Sequence, residues 1–180
     1  NDIRAKSVGT AHPDYAASIA GLGKLYELFE ENKKAESLYV QAIALHKTAY
    51  GEDHPSYAVS LDHLAGLYVI MKQYQKAETL YLQSMEITRR SLGEDHPDFA
   101  FSLNNLAVLY AAMGRYTAAE SLYTRTREIQ KRLLGEHHPA YVNRSGNLAI
   151  FYEPSVHYEK AEPLFIFLGE LERQNLKTTI

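Results

Sequence analysis

Histidine is the residue of this 180-residue chain best suited to metal binding or proton transfer, and it occurs eight times. Four copies stand in a His-Pro dipeptide, His12-Pro13, His54-Pro55, His96-Pro97 and His138-Pro139, at a constant interval of 42 residues. A zinc-like ion needs its ligands within about 2.1 Å of one point. Positions one repeat apart on successive loops cannot converge so closely, so the spacing predicts structural punctuation and no metal centre. His137-His138 adds neither a spaced third ligand nor a carboxylate partner. Glu36, Glu78, Glu120 and Glu162 form a second periodic array. Set in the first turn of successive helices, they would complement the helix dipole and need no acid–base role. Gly21-Leu22-Gly23-Lys24 lacks the spacing of a phosphate loop, and Asn143-Arg144-Ser145 fits a glycosylation acceptor only in a helical stretch. No nucleophile stands with a matched base and orienter. The expectation is a chain with no catalytic residue, no metal and no cofactor.

The elements that carry these residues follow from the same period. In the third unit, Leu103, Leu106, Ala107 and Tyr110 fall at i, i+3, i+4 and i+7, and Ala119, Leu122, Tyr123, Thr126 and Ile129 make a similar stripe. Two amphipathic helices per unit result, one from His96 to Met113 and one from Ala118 to Leu134. Only Gly114-Arg115-Tyr116 separates them, so they pack antiparallel. Gly51, Gly93 and Gly135 stand where helices end in a left-handed residue. Each His-Pro proline suits the first helical turn, with Asp53 or His54 and Asp95 or His96 as capping candidates.

Packing positions recur with the period. They include Leu22, Leu64, Leu106 and Leu148 beside Tyr26, Tyr68, Tyr110 and Tyr152. On the second helices come Ala35, Ala77, Ala119 and Ala161, then Tyr39, Tyr81, Tyr123 and Phe165. Self-similarity at this interval marks a stacked repeat protein. The units run 12–53, 54–95, 96–137 and a degenerate 138–180, in which Pro154 and Pro163 enter helical stretches. Residues 1–11 read as the end of a preceding repeat, because Ile3 aligns with Leu45, Ile87 and Ile129, and the chain reads as a fragment of a larger protein.

The series Leu106-Ala107, Tyr110, Gly114, Tyr116, Ala119 and Tyr123 resembles the tetratricopeptide repeat (TPR). The 42-residue unit, with Leu103-Asn104-Asn105-Leu106-Ala107 and Leu92-Gly93-Glu94-Asp95-His96-Pro97, is similar to the repeats of kinesin light chain. The resemblance implies an all-α, right-handed α-solenoid of antiparallel helix pairs whose first helices line a concave groove. A 100° step per residue puts Ala17, Gly21, Lys24 and Leu28 opposite the core. Val59, His63, Gly66 and Ile70 follow in the next unit, then Phe101, Asn105, Val108 and Ala112, with Asn147 and Ile150 in the last. These residues vary between units while the core face does not. The candidate peptide-binding groove is therefore Lys24, Val59, His63, Phe101, Asn104, Asn105, Val108, Asn147 and Ile150. Asn105 and Asn147 match the family's motif, whereas Gly21 and His63 depart from it. Flanking charges are nearly balanced, which argues against a strongly acidic cargo.

Composition narrows the partner class. A net charge of −3 disfavours nucleic acid, no apolar run reaches the ~18 residues of a membrane span, and the absence of cysteine excludes a disulfide framework and fits the cytoplasm. The expected function is a non-catalytic scaffold that binds a protein or peptide. The alternatives are a regulatory or substrate-docking part of a larger enzyme or signalling ATPase, and a module that self-associates through its ends, where Ile166 and Phe167 offer apolar contact.

Overall fold

A computed structural model describes residues 13–136 together with His138, Tyr141, residues 146–148, Phe151, Glu162, residues 165–167, Gly169 and Arg173. Among the sequence readings, those on residues 1–12, His137, Pro139, residues 143–145, Ile150, Tyr152, Pro154, Ala161 and Pro163 lie outside the described residues. Two compact units are present, Asn1–Gly93 and Glu94–Ile180. The first holds α1 (Pro13–Leu28), α2 (Asn32–Tyr50), α3 (Pro55–Ile70) and α4 (Tyr74–Leu92). The second holds α5 (Pro97–Ala112) and α6 (Tyr116–Leu134), followed by helical positions from Tyr141 onward. First helices have 16 residues and second helices 19, in every repeat described. Within the first unit α1 packs on α2, α2 on α3 and α3 on α4, and within the second α5 packs on α6.

The His54-Pro55 and His96-Pro97 dipeptides start helices, as their spacing predicts. His54 is the N-cap of α3, its Nδ1 accepting a hydrogen bond from the Ser56 N–H at 3.1 Å, and His96 caps α5 through the Asp98 N–H at the same distance. Proline follows at the first helical position, where its missing donor costs nothing. Gly51, Gly93 and Gly135 have φ between 79° and 87° but ψ between 164° and 171°. The backbone there lies in the extended mirror region that only glycine enters freely, not in the left-handed helical well.

The turn inside each repeat differs from its reading in one respect. The second helix of the third unit begins at Tyr116, two residues earlier than Ala118. A six-to-one, five-to-two pair of hydrogen bonds closes the first helix: Arg115 N to Tyr110 O at 2.8 Å and Gly114 N to Ala111 O at 3.0 Å. With Arg115 already the N-cap of the next helix, no spacer is left.

The core alternates small and large residues. Ile19, Ala20 and Ala42 form one cluster and Tyr57, Ala58, Leu61 and Ile87 another in the first unit. Ala107, Ala119, Tyr123, Leu148 and Phe151 form a third in the second. The glutamate array requires a correction: Glu36, Glu78 and Glu120 lie in the second turn of α2, α4 and α6, and Glu36 accepts a hydrogen bond from Tyr68 of α3 at 2.7 Å. Burial, reinforced by that bond, pushes the Tyr68 hydroxyl up to about 12.

Candidate functional site

Along α3, exposure is confined to Val59, His63 and Ile70, with Gly66 half-buried between them, and the remaining positions from Tyr57 to Tyr68 are buried apart from half-buried Asp62. Likewise Phe101, Val108 and Ala112 are exposed on α5, with half-buried Asn105 among them. A helix wrapped by neighbours on its other sides keeps one stripe for solvent. In both helices it is the stripe that varies between repeats. Phe101 is 44% exposed although it is a large apolar residue, so the face presents apolar area to solvent.

The asparagines split. Asn104 is buried and accepts a hydrogen bond from the Asn147 side-chain amide at 3.2 Å. That pair ties α5 to the following helix, while Asn105 remains beside Phe101 and Val108 on the stripe. Phe167 stands half-buried with its ring edge against Tyr141, centroids 6.3 Å apart, whereas Ile166 is exposed. A shallow trough runs along α6 past Thr117, Glu120, Ser121, Thr124, Arg125 and Glu128. It lies on a second helix, and Arg125 is engaged by Glu94 at 2.6 Å.

In the first unit the stripe is backed by a polar cluster. Glu27 accepts hydrogen bonds from Lys24 Nζ and from the Tyr39 hydroxyl, the latter at 2.9 Å. Its side chain is only 8% exposed. The ring of Tyr39 stacks on His63 with centroids 5.7 Å apart and planes 8° from parallel. His63 is open to solvent on the stripe but covered by Tyr39 on one ring face; desolvation on the covered side, with the Lys24 charge adding to it, lowers its pKa, and Glu27 opposes the shift. Burial also raises the Tyr39 pKa, and the hydrogen bond to Glu27 raises it further. In the sequence Glu27 stands only as a flanking charge. The available signal was that Gly23 and Glu27 both depart from their repeat counterparts, Ala65 and Ala107 in one case and Val69 and Ala111 in the other. Among the described residues no three His, Asp or Glu side chains converge on a point that could hold a metal.

The profile of the tetratricopeptide repeat matches residues 15–90, 56–125 and 98–165. The chain belongs to the tetratricopeptide repeat family. The matches overlap and begin 41 and 42 residues apart, and TPR proteins generally mediate protein–protein interaction. A Podosopora anserina structure, described as kinesin light chain with nearly identical TPR-like repeats, is 27% identical with a TM-score of 0.75, covering 97% of this chain and 82% of that one. BtubC (BKLC) from P. vanneervenii is 24% identical with a TM-score of 0.81, covering 96% of this chain and 69% of that one. The apo form of RapI shares the fold at 16% identity with a TM-score of 0.77, covering 98% of this chain and 62% of that one. No curated protein matches the chain. The all-α TPR-type class expected from the sequence is the one observed, and no described helix is long and apolar enough to cross a membrane.

Proposed function

We propose that this TPR chain is a non-catalytic scaffold of the cytoplasm that binds a peptide segment of another protein on the exposed stripes of its first helices. Val59 and His63 carry the contact in the first unit, and Phe101, Asn105 and Val108 carry it in the second. The observation that supports this reading is the coincidence of exposure with variation: from Tyr57 to Tyr68 and from Phe99 to Leu109, the exposed residues all lie on the one stripe that differs from repeat to repeat. No charged residue stands on the α3 or α5 stripe, and the Lys24 ammonium is already held by Glu27. An uncharged face of this kind suits apolar and neutral polar side chains, with the Asn105 amide free to pair with a peptide backbone.

The test is panning of a random peptide library on the full chain, followed by affinity measurements with Phe101→Ala combined with Val108→Ala. Both positions are exposed, so truncation leaves the fold intact by circular dichroism. Loss of at least about tenfold in affinity supports the reading, because central apolar contacts dominate such interfaces. Selected peptides indifferent to this pair and to Val59→Ala would overturn it.

Self-association is a second reading favoured by one internal contact. Tyr123 packs on Phe151 with centroids 5.4 Å apart. The repeat counterparts of these two rings, Phe165 and Leu25, are 44% and 52% exposed.

A further inference from the structure

Gly23 of α1 has no Cβ, and an added one would come within 2.9 Å of Tyr39 Cε1. The missing methyl group is what lets the Tyr39 ring lie close to α1, within reach of the Glu27 carboxylate. Held there by its hydroxyl, the ring becomes a platform for His63. At the counterpart position of the next repeat stands Asn105, on the same stripe of α5. A neutral imidazole offers one N–H donor and one nitrogen acceptor, the same pair that an asparagine amide offers. An imidazolium offers two donors and no acceptor.

We propose that His63 is the residue with which the first unit grips the backbone of a bound peptide, and that it does so as neutral imidazole, so that mild acid releases the peptide. This rests on the stripe being the peptide-binding face. The occupant is an extended peptide with uncharged side chains, since Val59 and Ile70 on either side of His63 are apolar and Lys24, the cation of the face among the described residues, is held by Glu27.

The groups around the ring keep it neutral near pH 7. Lys24 and Glu27 face it from α1, Tyr39 covers one ring face from α2, and His46 of α2 is within electrostatic range. On its own helix Asp62 is adjacent in sequence. Asp62 and Glu27 also act on the Tyr81 hydroxyl of α4, which stays protonated behind the site because burial raises its pKa. The Lys24 charge and the desolvated ring together disfavour the imidazolium more than Glu27 favours it.

The experiment uses the full chain and a library-selected peptide that contains no Asp, Glu or His and whose binding requires Val59. Between about pH 7.5 and about pH 5.5 the wild-type affinity should fall severalfold, by less than the roughly tenfold that an imidazole of ordinary pKa would give, because that of His63 is lowered. His63→Asn should bind within about threefold of wild type at the higher pH and lose the pH dependence, because an amide does not titrate. His63→Ala should be about tenfold weaker at the higher pH. Circular dichroism at both pH values separates release from unfolding. A wild-type affinity that does not change with pH, pH sensitivity that survives in His63→Asn, or unimpaired binding by His63→Ala overturns the proposal. If instead no selected peptide depends on Val59 or on the Phe101 and Val108 pair, the face itself is wrongly placed, an outcome distinct from the failure of His63 alone.

Discussion

Gly21 and Gly23 lie two residues apart on α1, yet a methyl group added to each meets opposite surroundings. At Gly21 nothing stands within 4 Å, whereas at Gly23 the added carbon would come within 2.9 Å of the Tyr39 ring, inside van der Waals contact. Gly21→Ala should therefore stabilise the chain by about 1 kcal/mol, the difference in helix propensity. Gly23→Ala gains the same term but forces a buried ring to move, at a cost of roughly 1–3 kcal/mol, so the net change is a loss. Urea unfolding midpoints of the two variants should shift in opposite directions. Repeat alignment alone predicts the reverse for Gly23, because Ala65 and Ala107 occupy its counterpart positions. The contrast also shows what could be read in advance. The stripe of Val59, His63, Phe101 and Val108 follows from 100° per residue and was visible as sequence. The Glu27, Tyr39 and His63 cluster was not, because it depends on one ring displaced into the space of a missing methyl group. Nor was the Asn147 to Asn104 bond, since periodicity assigns a face and not a rotamer.

Whole helices were more legible than side chains, since apolar spacing, His-Pro starts and glycine stops all carry the same 42-residue period. What the period leaves open is the polar chemistry at each junction between helices. His46, Thr88 and Gln130 are repeat counterparts, and all three are buried. Thr88 satisfies itself on the Ser84 carbonyl one turn back at 2.9 Å. His46 instead joins two helices, its Nδ1 lying 2.5 Å from the Ser60 hydroxyl of α3. Its ring also lies against Tyr50, which stacks in turn on the His54 cap. Burial lowers the His46 pKa, and repulsion from His54 and His63 lowers it further. In the unfolded chain the group takes up its proton near the ordinary value of about 6.5. The folded state resists that proton, so stability contributed by neutral His46 is complete above that value and is lost as pH falls through it, levelling off below the lowered folded pKa. The urea midpoint should thus decline between neutral and mildly acid solution. His46→Gln, which installs the residue found at position 130, should flatten the decline. An equally steep decline in that variant would assign the acid sensitivity to another group.

Across the molecule, the exposed apolar residues at the first and last described helices are halves of one internal contact. Leu67 and Leu109, the counterparts of Leu25, are fully buried, and Tyr123, the counterpart of Phe165, is 5% exposed. In the second unit the Tyr123 ring meets Phe151, and Phe151 occupies the Leu25 position of its repeat. A second copy could reproduce that contact by setting its Leu25 face on the Phe165 and Ile166 face of the first. Such a contact joins two different surfaces, so it is head-to-tail. A net charge of −3 offers little repulsion against it. The mass measured by light scattering should rise above the monomer with concentration. Because every contact needs both halves, Leu25→Glu alone or Phe165→Glu alone should return the chain to monomer, while the equally exposed Val59→Glu on the peptide-binding stripe should leave association unchanged. A constant monomer mass in the wild type would remove this second reading and leave the first-helix stripe as the exposed apolar face in need of a partner.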